Sequence, residues 1–230
     1  MRRNVTPELL DRLPPEDPRA MRSRLDLRRV NAWMGNARAL AAALRSASDG
    51  AFPQRIVELG AGDGTLLLGV ARRTQPRSRG VQALLLDKED LVRPSVRGEF
   101  NELGWRVETV RQTALDWLRQ APSFPCQLTV ANLFLHHFAE AELAELLRRS
   151  ADRTEIFIAL DPRRSLLALG LCRLLWLIGC NAVTRHDAPA SIHAGFAGNE
   201  LSKLWPAEGG WALNESPCGL AGHLFIARRC

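Results

Sequence analysis

Lysine is almost absent from this 230-residue sequence. Only Lys88 and Lys203 occur, although 31 basic residues against 25 acidic ones leave a formal charge of +6. A positive charge carried nearly all by arginine fits nucleotide bias in the coding DNA, so it permits nucleic-acid binding without arguing for it. Cysteine is sparse: Cys126, Cys172, Cys180, Cys218 and Cys230 form no C-x-x-C pair. Their odd number and scatter argue against a disulfide framework or a zinc site and fit a reducing compartment. The start, Met1-Arg2-Arg3-Asn4-Val5, lacks the apolar run of a signal peptide, which points to the cytoplasm. No membrane span is expected either. The longest apolar stretch, 166–178, is broken by Arg173 and falls short of the about 20 residues a bilayer needs. Internal repeats, low-complexity tracts and long linkers are also missing.

The length suits one domain with some chain left over for a cap, and such a chain buries roughly 70% of its unfolded surface without a staple. Residues 1–50 read as a helical section. Thr6-Pro7-Glu8-Leu9-Leu10 looks like a capped helix start, Pro14, Pro15 and Pro18 interrupt, and helical patterns follow at 20–34 and 37–45. Ser48-Asp49-Gly50 and Pro53 mark a boundary. Beyond it the texture alternates: strands at 55–59, 81–86, 105–110, 128–132 and 155–160, and helices at 64–74, 90–103 and 140–150. The apolar segment after Ser165 reads first as core packing and second as the wall of an apolar pocket. A helix is expected at 198–204, and 211–213 with 223–227 as a closing hairpin. Strand–helix alternation predicts an α/β fold, a Rossmann-like, mostly parallel, seven-stranded sheet between helices, with 1–50 as an N-terminal helical cap and 51–230 as the catalytic domain.

The most informative string is Val57-Glu58-Leu59-Gly60-Ala61-Gly62-Asp63-Gly64, where a strand gives way to a helix. That is where open α/β sheets bind nucleotides, and glycines let a ligand lie against main-chain atoms. A dinucleotide fingerprint would need glycine at position 65, which is Thr65. A phosphate cradle would need a Gly-Lys-Ser/Thr run, which is absent. What remains is an acid followed by G-x-G-x-G, or a ligand-free turn. Leu84-Leu85-Leu86-Asp87-Lys88 ends the next strand in an acid, whose carboxylate has lone pairs for two donors or serves as a helix cap.

Asn132-Leu133-Phe134-Leu135-His136-His137-Phe138 closes the fourth strand. A neutral imidazole there can take a proton near pH 7, so His136 and His137 are candidate bases, His137 preferred. Alternatively, one packs and the other caps the following helix. No further ligand stands near them at helical or loop spacing, so no metal is expected. Asp161 or Arg163, after the fifth strand, either touches a substrate or starts a helix. Arg185-His186-Asp187 and Ser191-Ile192-His193 are positioned to cap the site from the other side.

The 58–64 pattern resembles the first motif of class I S-adenosylmethionine (SAM)-dependent methyltransferases. The resemblance covers 54–160. It implies SAM as cofactor, with Glu58, Gly60, Ala61, Gly62, Asp63 and Gly64 around its methionine tail and Asp87, beside Lys88, on its ribose. Thr113 and Ala114 would lie near adenine, and Asn132 and Leu133 near the methyl group. Thr113 departs from the usual Asp. The Asn/Asp-Pro-Pro-aromatic motif of amino-group methylases is also absent, which counts against an exocyclic nitrogen as acceptor. Residues 23–31, 132–138 and 185–187 resemble, more loosely, enzymes that accompany type III polyketide synthases. The implied activity is methylation of a hydroxyl or carbon on a small, apolar, phenolic or polyketide-like molecule. RNA methylation, or a non-catalytic SAM-binding module, stands as the alternative. Nucleic acid is disfavoured by the lack of a basic run interleaved with aromatics, and the oligomeric state is left open.

Overall fold

Neighbouring strand residues face opposite sides of a sheet, and here both sides are buried. Ile56 shares one core with Ala83, Leu85, Leu128, Val130 and Ile158, while Val57 and Leu59 share the other with Leu84, Leu86, Ala131 and Phe157. Runs that must be apolar on both faces belong in the middle layer of a sandwich.

The computed structural model describes residues 1–48, 51–75, 78–120 and 126–230; the boundary expected at Asp49-Gly50 lies outside them. In chain order the elements are α1 (Leu9–Arg12), α2 (Pro18–Met34), α3 (Asn36–Ala47), β1 (Arg55–Leu59), α4 (Thr65–Thr74), β2 (Gln82–Asp87), α5 (Pro94–Glu102), β3 (Arg106–Arg111), α6 (Ala114–Arg119) and β4 (Leu128–Asn132). A 3-10 turn (Leu135–His137) leads to α7 (Glu140–Ala151), β5 (Ile156–Pro162), α8 (Leu166–Cys172), α9 (Ala182–Ala194), α10 (Glu200–Leu204), β6 (Trp211–Cys218) and β7 (Gly222–Arg229). The seven strands form one sheet in the order β3-β2-β1-β4-β5-β7-β6. The first five are parallel, and the β6–β7 hairpin adds antiparallel at the edge. Helices α3, α4 and α5 cover one face; α6, α7 and α10 cover the other. Strand order reverses between β1 and β4, so the crevice beyond their carboxyl ends is the switch point where ligands of such sheets bind.

Several expectations need correction. The helix expected from Thr6 is a single turn beginning at Leu9, and Glu8 makes no capping bond. Its first amides are held by Asp187 instead. Helix α5 begins at Pro94 rather than at residue 90, because proline is favoured in a first helical turn and disfavours helix before it. Helix α6 is not expected from the sequence: Thr113 accepts from Asp116 N and is its N-cap. Helix α9, with Pro189 inside it, carries both 185–187 and 191–193, for which no helix is expected from the sequence. The stretch 166–178 is not core packing. It is helical only to Cys172, and it leaves Leu166 78% and Trp176 60% exposed. Only Ala168, Leu171, Cys172 and Leu175 turn toward the cavity described below. Helix α3, for its part, packs in the core of the sheet, with Leu40, Ala41 and Leu44 buried against α4.

Candidate active site

A cavity of about 880 Å³ opens over the carboxyl ends of β1, β2, β3 and β4. Its floor is the turn after β1. Gly60, Gly62 and Gly64 all have positive φ, at 67°, 54° and 74°. Gly60 lies against the Phe134 ring, where a methyl group has no room. Gly62 has open space where a side chain would be, so its backbone is free to be approached. Two main-chain contacts fix the turn: Ala61 N donates to Leu86 O at 3.0 Å, and Gly62 N to Asp87 Oδ2 at 2.8 Å. Asp87 Oδ1 also accepts from Glu89 N. Each oxygen keeps a second lone pair, so both can still receive a ligand donor.

Glu58 sits 2% exposed beside this floor, and its Oε2 has no partner. Burial, then repulsion from Asp63 and Asp87, raises its carboxyl well above the ordinary value. A buried oxygen with no hydrogen-bond partner is costly and calls for a donor.

Of the expected cofactor residues, Glu58, Gly60, Ala61, Gly62, Asp63, Asp87, Lys88, Thr113, Ala114, Asn132 and Leu133 all line this one cavity. Gly64 does not; it is the left-handed residue that starts α4, packed over Leu85. Some of the liners have partners within the protein. Lys88 pairs with Asp11 at 2.6 Å, and Thr113 is bonded to Asp116. Asn132 belongs to a triad: Asn36 donates to both Asn31 and Asn132, and Asn132 donates to Asn31. Leu133 is the single non-glycine residue with positive φ among the described residues, at 49°. Such strain collects at functional sites.

At the other end lies the histidine pair. His136 is buried, with Nδ1 2.8 Å from Asp161 Oδ1. The same oxygen accepts from the backbone N of Phe134 and of His136, so Asp161 shapes the whole turn. Asp161 therefore neither lines the cavity nor starts a helix, and Arg163 pairs in a β-bridge with Phe196. His137, 32% exposed at its side chain, has Nδ1 3.0 Å from Phe134 O. The expectation that no third ligand stands near them fails. Glu8, from the far end of the chain, lies 3.5 Å from His136 Nε2 and 3.6 Å from His137 Nε2. Burial works against charge on His136, but the bonds to Asp161 and Glu8 prevail and raise it to about 9. Burial likewise opposes the Glu8 carboxylate, yet the two histidines hold it below the usual range.

The roof comes from α1, α2 and α9. Asp187 accepts from Leu9 N and Leu10 N, Ser23 bonds Thr184, and buried Asp26 accepts from Asn181 N. Arg28 reaches down to Asp63 in the floor. Arg3 donates to Ala194 O and Phe138 O. The expected capping position of 185–187 agrees with Asp187 in this roof, but the pairing of these residues stands at no spacing that a sequence pattern reveals, and the sequence marks Glu8 only as part of a helix start.

The chain matches no described protein family and no curated protein in sequence. In three dimensions it is similar to many solved structures. One is an O-methyltransferase family protein from Burkholderia thailandensis, at 20% identity and a TM-score of 0.60, covering 93% of this chain and 60% of that one. Another is the plantazolicin methyltransferase BamL with SAH and a triazolic desmethylPZN analog, at 11% identity and 0.66, covering 93% and 92%. A third is the mitomycin 7-O-methyltransferase MmcR, at 20% and 0.58, covering 96% and 60%. The fold is the one these methyltransferases share. The chain spans about 60% of the length of the first and third of these neighbours. At such identities the likeness speaks to architecture alone.

Proposed function

We propose that this chain transfers the methyl group of SAM to a hydroxyl, or a carbon, of a small apolar phenolic molecule of the polyketide type. One observation carries the reading: a single cavity joins an unpartnered buried carboxyl on a glycine floor to a histidine cluster. The floor suits SAM. Glu58 and the bare backbone of Gly60 to Asp63 would hold its cationic methionine tail, Asp87 its ribose, and Thr113 and Ala114 its adenine. When bound, the cofactor supplies a methyl group made electrophilic by a positive sulfur.

The protein's own task is then alignment and proton handling. Holding the acceptor oxygen in line with the transferred carbon is worth several kcal/mol. Asn132 and Leu133 border the point of transfer, while His136, His137 and Glu8 receive the acceptor's polar end, so that they, rather than bulk water, manage its proton. Leu171, Leu175 and Ile192 offer the apolar wall. We take residues 1–34 as the lid that excludes water, since α1 and α2 roof the cavity through Asp187, Ser23 and Arg28. Localisation to the cytoplasm agrees with the scattered free cysteines; no helix among the described residues is long and apolar enough to cross a membrane.

A small acceptor is favoured over RNA because many N-terminal arginines are engaged internally. Arg3 holds carbonyls, Arg22 and Arg29 hold Asp26, and Arg28 holds Asp63. The test incubates the protein with methyl-labelled SAM and either a panel of phenols and pyrones or bulk RNA, at low and high salt. Salt-insensitive labelling of a small phenol is expected. Labelling of RNA that falls steeply with salt, or no transfer despite tight SAH binding, would displace this reading.

A further inference from the structure

Glu8, His136 and His137 meet in a way that leaves a gap of defined chemistry. Asp161 and the Phe134 carbonyl both accept, so the Nδ1 of each histidine carries its proton. Without an ion, a proton on Nε2 of His136 faces Glu8; with that proton displaced, each ring aims the lone pair of Nε2 at the same carboxylate, which can also only accept. Three acceptors then converge with no protein donor between them. Their separations of 3.5 and 3.6 Å are too long for good N–H···O bonds. They are close to the spacing of about 3.3 Å between neighbouring donors on an ion with bonds of about 2.0–2.1 Å. All three ligand atoms lie within 4.8 Å of one another. Behind each ring stands the oxygen acceptor that orients metal-bound imidazoles, a carboxylate for His136 and a carbonyl for His137.

The geometry points to a divalent transition-metal site formed by Glu8, His136 and His137, with its remaining coordination positions open to the acceptor end of the cavity. Two imidazoles and one carboxylate suit ions such as Zn²⁺, Co²⁺ or Fe²⁺ rather than Mg²⁺ or Ca²⁺, which prefer oxygen. The negative surroundings that make His136 basic attract any cation, so an ion competes there with a proton. An ion at this point would lower the pKa of a hydroxyl placed on it. The histidines would then serve as ligands rather than as bases. Use of the ion in catalysis rests on the methyl-transfer reading, but its binding does not.

The test titrates metal-free protein with Co²⁺ and follows the visible ligand-field bands, with Zn²⁺ as competitor and SAH calorimetry run on each sample. One equivalent of Co²⁺ is expected, without the near-ultraviolet bands of thiolate ligation, and Zn²⁺ should displace it. His137→Ala and Glu8→Gln should abolish uptake while SAH still binds, which establishes that the variants are folded. Asp161→Asn, which spares all three ligands, should weaken Co²⁺ about 10–100-fold. No stoichiometric uptake by the unaltered chain, uptake through thiolate, or uptake unchanged in His137→Ala and Glu8→Gln overturns the site and leaves an imidazolium–carboxylate pair only. Absence of SAH binding with Co²⁺ uptake intact would instead sink the cofactor reading and spare the metal.

Discussion

At the glycine end of the cavity the walls are largely main chain and strand ends, whereas at the histidine end they are side chains gathered from three distant segments. The first end is set by the parallel register of β1 with β2 and by two amide bonds of the β1 turn. The second depends on single side chains: Glu8 from the N-terminal segment, Asp161 from β5 and Asp187 from α9. A site written in backbone is rigid and intolerant of added atoms. A site written in side chains can lose one member and keep its fold. The two ends should therefore respond differently to substitution.

The largest effect is expected at Gly60. Its φ of +67° disfavours any side chain, and the Phe134 ring occupies the place of a Cβ. Gly60→Ala should weaken SAH binding by at least about 100-fold, near 2.7 kcal/mol, as measured by calorimetry. An affinity within twofold of the original would mean the floor yields, and that the contrast between the ends is false.

Next comes Glu58, which tests whether the floor is matched to a cation. Glu58→Gln should lower SAH affinity about tenfold, since bonds to charged groups are worth more than neutral ones. Its effect on the ligand-free protein has the opposite sign. A carboxyl raised in the folded state stabilises fully below its unfolded value of 4.5, and that contribution is lost as pH rises toward the folded value. Without ligand, the glutamine variant should then melt higher than the parent near neutral pH, with the difference closing toward pH 4.5. A variant that melts lower at neutral pH would show that the carboxylate has a partner and is not poised for a ligand.

A smaller, more local effect is expected from Asp187→Ala, which removes two amide acceptors from the start of α1. Loss of such a cap costs about 1 kcal/mol. Hydrogen exchange should speed up across residues 9–13 and acceptor methylation should fall, with SAH affinity held within twofold. If SAH affinity dropped as far as in Glu58→Gln, the roof would be part of the cofactor site.

What could be read from the sequence follows the same divide. Five parallel strands, the hairpin and the contiguous turn from Glu58 to Gly64 are local patterns, so periodicity and glycine spacing reveal them. Asp87 is legible because a strand ends in it. Asp187 is legible as part of a run that caps the site, but not as the acceptor of the first amides of α1, and Glu8 is not legible at all, because in both cases the partners lie at the opposite end of the chain. Helix α6 is hidden by a threonine assigned to a ligand contact, and α9 by a stretch considered only for its polar residues at 185–187 and 191–193. The apolar run 166–178 misleads for another reason: burial is decided by what packs against a segment, and only one side of this one finds a neighbour.

Arg28 offers the mildest test, because it is one of several side-chain links between roof and floor, beside Asp11–Lys88 and Asn31–Asn132. Its ion pair with Asp63 is partly exposed, and such pairs contribute about 0.2–1 kcal/mol. Asp63 is also held by Thr65, whose N and Oγ1 both donate to Asp63 Oδ1, so the floor keeps its shape without the arginine. Arg28→Ala should therefore change SAH affinity by no more than about fivefold, and the difference should shrink as salt rises. Should this variant instead lose more affinity than Glu58→Gln, the glycine floor would owe its conformation to the roof above it. The two ends would then be one cooperative unit, closed from above, rather than a rigid floor with a separately fastened lid.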